Sequence, residues 1–564
     1  MESEASESLL ILQRSSEKWQ QRRTRTPRLL ILIAVLSTLA FAASLAVGSS
    51  YPLRVSANRR YLIDAQGKPF LMVGDSAWSL LVNLNIADTS YYLHSRATNG
   101  FNTVMCSLIS VPYTGGRSDG TMLNGTAPFT NYVNGQFDLA AVNPAYLSAV
   151  SNVVLMAATN GLLLMIDPLD TGGLLACART NGPAKCLAYG QMLGNYFGKF
   201  TNVVWQSGND YNYDDPQIVA DDACMTNIVC GIKATAPAQL HTANISGTTV
   251  TSDGMLNTNW WPLLDLTEVY TWAETYDMAL SAYSRTNFRP AILGEAHYEA
   301  EYQGWPLPPA YYDYDSGTPS VIRRQIYWTM TCGGCGHLYG HHDIWTFTGA
   351  WKAELNTAAV QHLNHATAFF SALRWWDLVP DTNHAVLKSG YGTYDGHGQA
   401  STNDYATAAR TLNGAVAVVY VPTVRTITVD LSTMVGPVTV RWFDPTSASF
   451  YTLGGSPLPN SGVQDFTPPG SNGSGDGDWL LLLEAQTSDY RPLITSALSS
   501  SNSFLINFTT YAGQVYDVQG TAALDGGSWL VVISNIVGTG GVVQVVDTNT
   551  AGQSRRFYRV RTMF

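Results

Sequence analysis

The chain has 564 residues, of which 46% are hydrophobic, 11% aromatic and only 13% charged, and its formal net charge is −11. This length predicts two to four domains, with enough apolar residues to fill their cores. The acidic balance argues against a nucleic-acid partner, because binding to phosphate backbones needs clustered basic side chains. Few Lys and Arg residues beside many aromatic ones suit neutral polar ligands such as sugars.

The N-terminal region, residues 1–50, has the pattern of an export signal. A basic cluster, Arg22 to Arg28, precedes an uncharged apolar run, Leu29–Val47, which contains the small residues around Ala42. This order of segments is typical of a cleaved signal peptide. The run's 19 residues also just span a bilayer, so an uncleaved membrane anchor is the alternative. Both predict an exported protein that is secreted, periplasmic or at the cell surface, because the positive flank stays inside.

The cysteines agree with export. Cys177 and Cys186, and likewise Cys224 and Cys230, lie close together in loop-like sequence, so each pair is a candidate disulfide. The segment Cys332-Gly-Gly-Cys335 has the spacing of a metal or redox site, but no second such segment follows it. We therefore expect no metal there. The odd count leaves one thiol, for which Cys106 in an apolar strand is the candidate.

From about residue 58 to 350, short apolar runs alternate with helical patterns, which predicts βα units and a parallel sheet. Eight runs read as strands: Phe70–Gly74, Phe101–Ile109, Leu162–Asp167, Asn202–Gln206, Gln239–Ile245, Leu264–Val269, Ala291–Gly294 and Gly336–Tyr339. Helical patterns between and after them include Ala145–Asn160, Pro183–Phe200, Trp272–Ser284, Ser320–Thr331 and Thr357–Leu373. Eight strands with crossovers in one domain predict a (β/α)₈ TIM barrel, which we place at residues 51–378.

Beyond the barrel the helical patterns stop. Strand-like runs such as Ala415–Val421 and Trp479–Leu483 are separated by Gly, Pro, Ser and Asn. We predict an antiparallel β-sandwich at residues 379–487 and a small β module at residues 488–564. Trp375 and Trp376 stand at the junction and are interpreted as packing between the barrel and the sandwich.

Polar residues recur where the predicted barrel strands end, which is where the reactive groups of such barrels lie. They are Asp75, Asp167, Asn209, Asp210, Glu295 and His341, with the aromatic residues Trp78, Trp205 and Trp345 beside them. Single acids at such points are usually helix caps or loop ion pairs. Their repetition beside tryptophan predicts a binding site for a poly- or oligosaccharide.

Asp210 and Glu295 are the candidates for catalysis. They follow the fourth and seventh strands and are 85 residues apart in sequence, yet a closed barrel brings both strand ends to one mouth. Glycosidic hydrolysis needs such a pair, with one carboxyl group protonating the leaving oxygen and the other attacking the anomeric carbon or activating water.

These residues carry a resemblance to a family, the apiosidase-like glycoside hydrolases, which covers roughly residues 55–380. The matching segments, in order, are Arg60–Phe70, Gly74–Trp78, Gly100–Val104, Trp205–Asp210, Gly294–Glu299 and Gly336–His341. The segment from Trp375 to about Glu484 is similar to the β domain named after collagen binding that often follows this barrel.

The resemblance implies a retaining mechanism, with Asp210 as acid/base and Glu295 as nucleophile. This chain has Asn209 where the resemblance leads us to expect glycine, and its loop Pro112–Phe137 is long. Both differences bear on the sugar pocket, so the family's preference for apiose in plant pectin is not carried over.

The remaining candidates are assigned to substrate binding. Asp75 and Trp78 hold sugar hydroxyls and a ring face, with helix capping by Asp75 as the alternative. His297 and Tyr298 follow the nucleophile and orient it, or simply pack. His337 and His341 are assigned to sugar contacts rather than to a metal, because the adjacent His341 and His342 would face opposite ways in an extended chain. Trp345 is assigned to ring stacking. We expect no metal and no cofactor.

Two other classes of function are weighed against this one. A non-catalytic carbohydrate- or matrix-binding surface protein would keep the barrel as a scaffold, but both acids occupy the expected strand ends. A peptidase would need a HExxH segment or a Ser/His/Asp set, and neither is evident. The sequence therefore favours a glycoside hydrolase and leaves the oligomeric state open.

Overall fold

The structure is a computed structural model. It describes residues 51–211, 222–245, 259–301, 316–396, 398–486, 492, 494–499, 503–510, 515–523, 529–539, 541–548 and 555–563. The predicted signal or anchor segment, residues 29–47, lies outside the described residues. Within them, no helix combines the length and the hydrophobicity that crossing a membrane requires.

Eight parallel strands form the predicted TIM-like barrel. They are β1 Met72–Ser76, β2 Thr103–Ser107, β3 Leu163–Asp167, β4 Val203–Ser207, β5 His241–Ala243, β6 Thr267–Tyr270, β7 Ala291–Glu295 and β8 Gly336–Tyr339. The ladder runs β5-β4-β3-β2-β1-β8-β7-β6. At the remaining seam, the backbone N–H of Asp265 donates to the carbonyl of His241 at 2.8 Å. All eight predicted strands are thus confirmed, and so is the fold class.

Helices connect the strands on the outside of the barrel. They are α1 Leu80–Asn83, α2 Ile86–Thr98, α3 Pro144–Thr159, α4 Thr171–Phe197, α5 Asp222–Thr235, α6 Tyr276–Ser284, α7 Pro319–Thr331, α8 His342–Trp345 and α9 Ala358–Ser371. Several begin at a side-chain cap that satisfies a free backbone N–H, as Asn143 does for α3, Asp170 for α4 and Thr318 for α7. Proline follows the cap in α3 and α7, where its missing N–H costs nothing.

The candidate disulfide pairs are wrong, because all seven cysteines are free thiols. Cys177 and Cys186 lie on two helical parts of α4 that a break at Gly182 separates, and Cys224 and Cys230 both lie in α5. The thiol of Cys186 instead contacts that of Cys224 on the neighbouring helix, and burial raises its pKa. Cys106 is buried in β2, as predicted.

A β domain follows the barrel, as predicted. Its strands are β9 Leu378–Pro380, β10 Leu387–Ser389, β11 Thr407–Thr411, β12 Val416–Val421, β13 Ile427–Asp430, β14 Val438–Phe443, β15 Phe450–Thr452, β16 Val463–Phe466 and β17 Trp479–Ala485. They form a six-stranded sheet, β9-β11-β12-β17-β14-β15, and a three-stranded sheet, β10-β13-β16. One hydrophobic core between the sheets joins Val419 and Leu481 of the first to Val429 and Phe466 of the second.

The β domain packs against helices of the barrel. The ring of Tyr327 in α7 stacks on that of Tyr420 at 5.3 Å, and Phe369 in α9 meets Phe443 at 4.7 Å. Trp375 is buried at the junction. These aromatic contacts make barrel and β domain share one apolar core.

Six further strands complete the described chain. They are β18 Ile494–Ser499, β19 Phe504–Thr509, β20 Val515–Thr521, β21 Leu530–Val537, β22 Val542–Asp547 and β23 Phe557–Met563. They pair in two antiparallel three-stranded sheets, β18-β19-β22 and β21-β20-β23. A small core that includes Phe508, Tyr516 and Val545 lies between them.

Candidate active site

A single amide at the mouth of the barrel contacts both the backbone of Asp210 and the carboxyl group of Glu295. Asn244, just after β5, accepts a hydrogen bond from the backbone N–H of Asp210 at 3.0 Å. Its Nδ2 donates to Oε2 of Glu295 at 3.1 Å and to Oε2 of Glu268 at 3.4 Å. The ends of β4 and β7 therefore present their acids to the same space.

Asp210 sits in a left-handed backbone conformation, with φ 50°. Such a φ is uncommon for a residue with a side chain and is held here by contacts around it. Tyr113 donates to its Oδ2 at 2.7 Å and Tyr270 to its Oδ1 at 2.5 Å. Both carboxylate oxygens thus have a phenol donor, which fixes the direction of the side chain.

Glu295 is 7% exposed and has fewer donors. Burial raises its pKa well above the ordinary range, and the neighbouring Asp210 raises it further, whereas the bond from Asn244 lowers it. Like charges that share a site cannot both ionise cheaply, so one proton stays on the pair.

Further carboxyl groups surround the pair. Burial raises the pKa of Asp170, the cap of α4, to about 7, and it does the same for Glu301, which follows β7. The neighbouring Asp210 contributes to both shifts. Burial also raises the pKa of Glu268 in β6 to about 7. A Cβ at Gly294 would lie 2.3 Å from Oε2 of Glu268, so glycine before Glu295 leaves room for this carboxyl group.

Asp167, at the end of β3, is a further buried carboxyl group near Asp170 and Glu268. Its Oδ1 accepts the backbone N–H of Leu169 at 3.1 Å, while Oδ2 is buried without a hydrogen-bond partner among the described residues. Burial raises its pKa, and Asp170 and Glu268 raise it further. Asp167 therefore remains a candidate for substrate contact inside the mouth.

Aromatic side chains line the side of the mouth next to Glu295. The indole N–H of Trp78 donates to the hydroxyl of Tyr298 at 2.9 Å, and Glu295 raises the pKa of Tyr298 after burial does. The ring of His297 meets that of Trp272 edge-on at 5.6 Å. Trp78, His297 and Tyr298 are thus brought close to the predicted nucleophile.

Asp75 and Trp205 face the helices instead of the mouth, contrary to expectation. Asp75 is buried in an ion pair with Arg96 of α2, at 2.6 Å. Trp205 is buried against Phe197, and its indole N–H donates to Gln239 at 2.8 Å. Alternate residues of a strand point to opposite faces, and both side chains fall on the outer one.

The other predicted residues lie near the ends of β4 and β8. Asn209 is buried, and its carbonyl accepts a bond from Thr171 at 2.5 Å. His337 is buried in β8 and burial lowers its pKa to about 4. His341 caps α8 with its Nδ1, 3.1 Å from the N–H of Asp343. Trp345 is half-buried, and its carbonyl accepts a bond from Ser79 at 3.0 Å.

Six polar side chains around the acids are described in the structure but were not singled out from the sequence. They are Tyr113, Asp170, Asn244, Glu268, Tyr270 and Glu301. Once the bounds of β5 and β6 are known, the position of Asn244 directly after β5 and of Tyr270 at the end of β6 predicts that both lie at the mouth. Tyr113 lies in an irregular loop, and nothing in its local sequence marks it.

The described parts of the chain contain no group of three His, Cys, Asp or Glu side chains arranged to hold a metal ion. Burial raises the pKa of Cys332 and Cys335, to about 12 for Cys335.

An eight-stranded barrel with paired acids at the ends of strands four and seven defines a glycoside hydrolase-like protein. The family model described as "Apiosidase-like, catalytic domain" matches residues 56–377, and the chain belongs to this family. The model described as "Putative collagen-binding domain of a collagenase" matches residues 396–484, in the order that the sequence predicts.

Solved structures agree at the level of the fold. A structure named "Glycoside hydrolase" superposes with a TM-score of 0.63 at 20% identity, covering 78% of this chain and 98% of that one. A glycoside hydrolase family 5 structure from Bacteroides vulgatus ATCC 8482 gives 0.64 at 21% identity, with coverages of 78% and 94%. No curated protein sequence matches the chain.

Proposed function

We propose that this protein is an exported glycoside hydrolase that cleaves poly- or oligosaccharides with retention of configuration. Asp210 acts as the acid/base and Glu295 as the nucleophile. The observation that carries the proposal is the single amide of Asn244, which contacts the backbone of Asp210 and the carboxyl group of Glu295. This contact supports a site in which acids from strands four and seven act on one glycosidic bond.

In the first step, Asp210 gives its proton to the glycosidic oxygen while Oε1 or Oε2 of Glu295 attacks the anomeric carbon. The bond to the leaving group breaks, and a covalent glycosyl ester forms on Glu295. In the second step, Asp210 takes a proton from water, whose oxygen displaces Glu295. Two inversions give net retention.

The pair shares one proton during catalysis. The mechanism needs this proton on Asp210, while burial and the neighbouring Asp210 raise the pKa of Glu295. Arrangements with the proton on either acid carry the same number of protons and give the same bell-shaped pH profile. The pH profile of the wild type therefore does not assign the roles by itself, and variants of each acid are needed.

Export rests on the basic and apolar segments before residue 50. Fractionation of the producing cells, followed by N-terminal sequencing of the mature protein, tests it. A new N-terminus after residue 40 indicates a cleaved signal peptide, and an intact N-terminus in the membrane fraction indicates an anchor. Full-length protein in the cytoplasmic fraction contradicts export.

The rival function is carbohydrate binding without hydrolysis. A panel of plant and microbial polysaccharides, with apiose-containing pectin among them, separates the two when wild type and Glu295→Gln are compared. We expect reducing ends to be released by wild type only, while both proteins bind the same polysaccharide. Binding of a polysaccharide by the wild type without release of sugar would support carbohydrate binding without hydrolysis.

The two roles are tested with aryl glycosides of the sugar so identified. Glu295→Gln should lose turnover on every substrate, because no ester can form. Asp210→Asn should keep its first step on activated aryl glycosides, which need little protonation, and lose natural substrates. Azide should partly restore Asp210→Ala, since this anion attacks without a general base. Equal losses on both kinds of substrate, with no effect of azide, would contradict the assignment.

A further inference from the structure

We propose that Tyr113 is a positioning residue for Asp210, and that Gly172 and Gly173 leave the space in which its ring is held. This inference rests on the proposed function of the Asp210–Glu295 pair and adds a residue to it. Tyr113 lies in the long loop between β2 and α3, so this loop would contribute to catalysis.

The first observation is the contact itself. The hydroxyl of Tyr113 donates to Oδ2 of Asp210 at 2.7 Å, while Tyr270 holds Oδ1. Tyr270 is buried in β6, whereas Tyr113 is 47% exposed and comes from a loop. Asp210 itself stands on a left-handed backbone beyond the end of β4. The side chain is therefore clamped between the barrel wall and this loop.

The second observation is the space under the ring. A Cβ at Gly172 would lie 2.0 Å from Cε1 of Tyr113, and a Cβ at Gly173 would lie 2.3 Å from Cγ2 of Val111. Both glycines lie in the first turn of α4, where alanine is the better helix former. The Tyr113 ring thus accounts for glycine at a position where helix formation alone disfavours it.

The third observation is that the turn carrying Tyr113 is fixed to the same helix. Pro112–Thr114 form a 3₁₀ turn, and the hydroxyl of Thr114 donates to Oδ2 of Asp170, the cap of α4, at 3.2 Å. The hydroxyl of Ser110 donates to the carbonyl of Thr114 at 2.9 Å. Contacts therefore link the cap of α4, the 3₁₀ turn and the ring of Tyr113 to one another.

The chemical consequence follows from the direction of the hydrogen bond. A donor to a carboxylate favours its ionised form, so loss of the Tyr113 hydroxyl should let Asp210 keep its proton to higher pH. Asp210 also faces Tyr270 from β6, Glu295 from β7, Asp170 from α4 and Glu301. All of these stay in place in Tyr113→Phe, so the change isolates one hydroxyl.

The experiment measures kcat/KM against pH for wild type, Tyr113→Phe and Gly172→Ala. We expect Tyr113→Phe to move the basic limb to higher pH. We also expect kcat/KM of Tyr113→Phe to fall about tenfold on substrates with poor leaving groups, which is part of the 10²–10⁴-fold that a general acid supplies. On activated aryl glycosides kcat/KM should change little, because these substrates need little protonation. Gly172→Ala should move the limb the same way, because the added methyl group displaces the ring. In the double variant, Gly172→Ala should add nothing to the shift.

Two matched controls accompany these variants. Tyr132→Phe removes a hydroxyl from an exposed tyrosine of the same loop, and Gly454→Ala adds a methyl group where no atom lies within 4 Å. Neither should change the pH profile. Equal losses by Tyr113→Phe on good and poor leaving groups, with an unmoved basic limb, would overturn the proposal and make Tyr113 a structural or substrate-binding residue.

A second readout needs no turnover. The carboxyl resonance of Asp210, assigned by its loss in Asp210→Asn after selective ¹³C labelling, should titrate at higher pH in Tyr113→Phe than in wild type. An unchanged titration contradicts the positioning role even if the enzyme is active. A shifted titration in a protein that hydrolyses no glycoside would support the contact and refute the proposed function instead.

Discussion

Arg323→Met should remove a buried ionic link between the barrel and the β domain. The guanidinium of Arg323 in α7 is buried and donates to Oδ1 and Oδ2 of Asp478 at 2.6 and 2.8 Å. It also reaches Asp476 at 2.8 Å and Nδ1 of His362 at 3.0 Å. The substitution leaves Asp478 buried with only neutral donors, among them Asn472 at 2.8 Å.

Removing one partner of a buried ion pair costs about 3–5 kcal/mol, because the remaining charge is left without compensation. We expect a loss of that size in the free energy of unfolding, measured by urea titration with tryptophan fluorescence. Lys352→Met is the matched control, since its bond to Asp88 lies on the surface and is worth at most about 1 kcal/mol. If the free energy of unfolding fell no further in Arg323→Met than in Lys352→Met, the Arg323–Asp478 pair would not be a buried ion pair that stabilises the fold.

Three further predictions concern the site and the domain junction. Asp75→Asn should lower the free energy of unfolding by about 3–5 kcal/mol through its buried pair with Arg96 and leave KM unchanged, measured by urea titration and steady-state kinetics. Asp210→Asn removes a like charge beside Glu295 and so lowers the pKa of Glu295. The acidic limb of kcat/KM on an activated aryl glycoside should therefore move to lower pH, and an unmoved limb contradicts the coupling. A chain ending near Arg374 should be poorly soluble in expression trials, because it exposes the apolar junction.

The sequence predicts the barrel well because its signals are local. Each strand is a short apolar run followed by a helical pattern, and each of the eight runs coincides with an observed strand. The same logic places Asp210 and Glu295 at one mouth, since parallel strands end at one edge. The disulfide pairs are wrong because polar residues such as Asn181 and Asn227, which are common in loops, stand here between cysteines of helical segments.

The site is predicted less completely because its remaining contacts are non-local. Whether Trp205 faces the mouth or the helices depends on the alternation of β4, and a shift of one residue exchanges the two faces. Asp75 meets Arg96, which is 21 residues away, and Tyr113 meets Asp210, which is 97 residues away. Only the folded chain shows these pairs.

The configuration of the first product decides whether hydrolysis proceeds with retention through Glu295. Proton NMR of the anomeric region, recorded in the first minutes of wild-type hydrolysis, shows which anomer appears before mutarotation. We expect the anomeric configuration of the substrate, and no product with Glu295→Gln. An initial product of inverted configuration would exclude a covalent ester on Glu295, because two displacements at the anomeric carbon cannot give it.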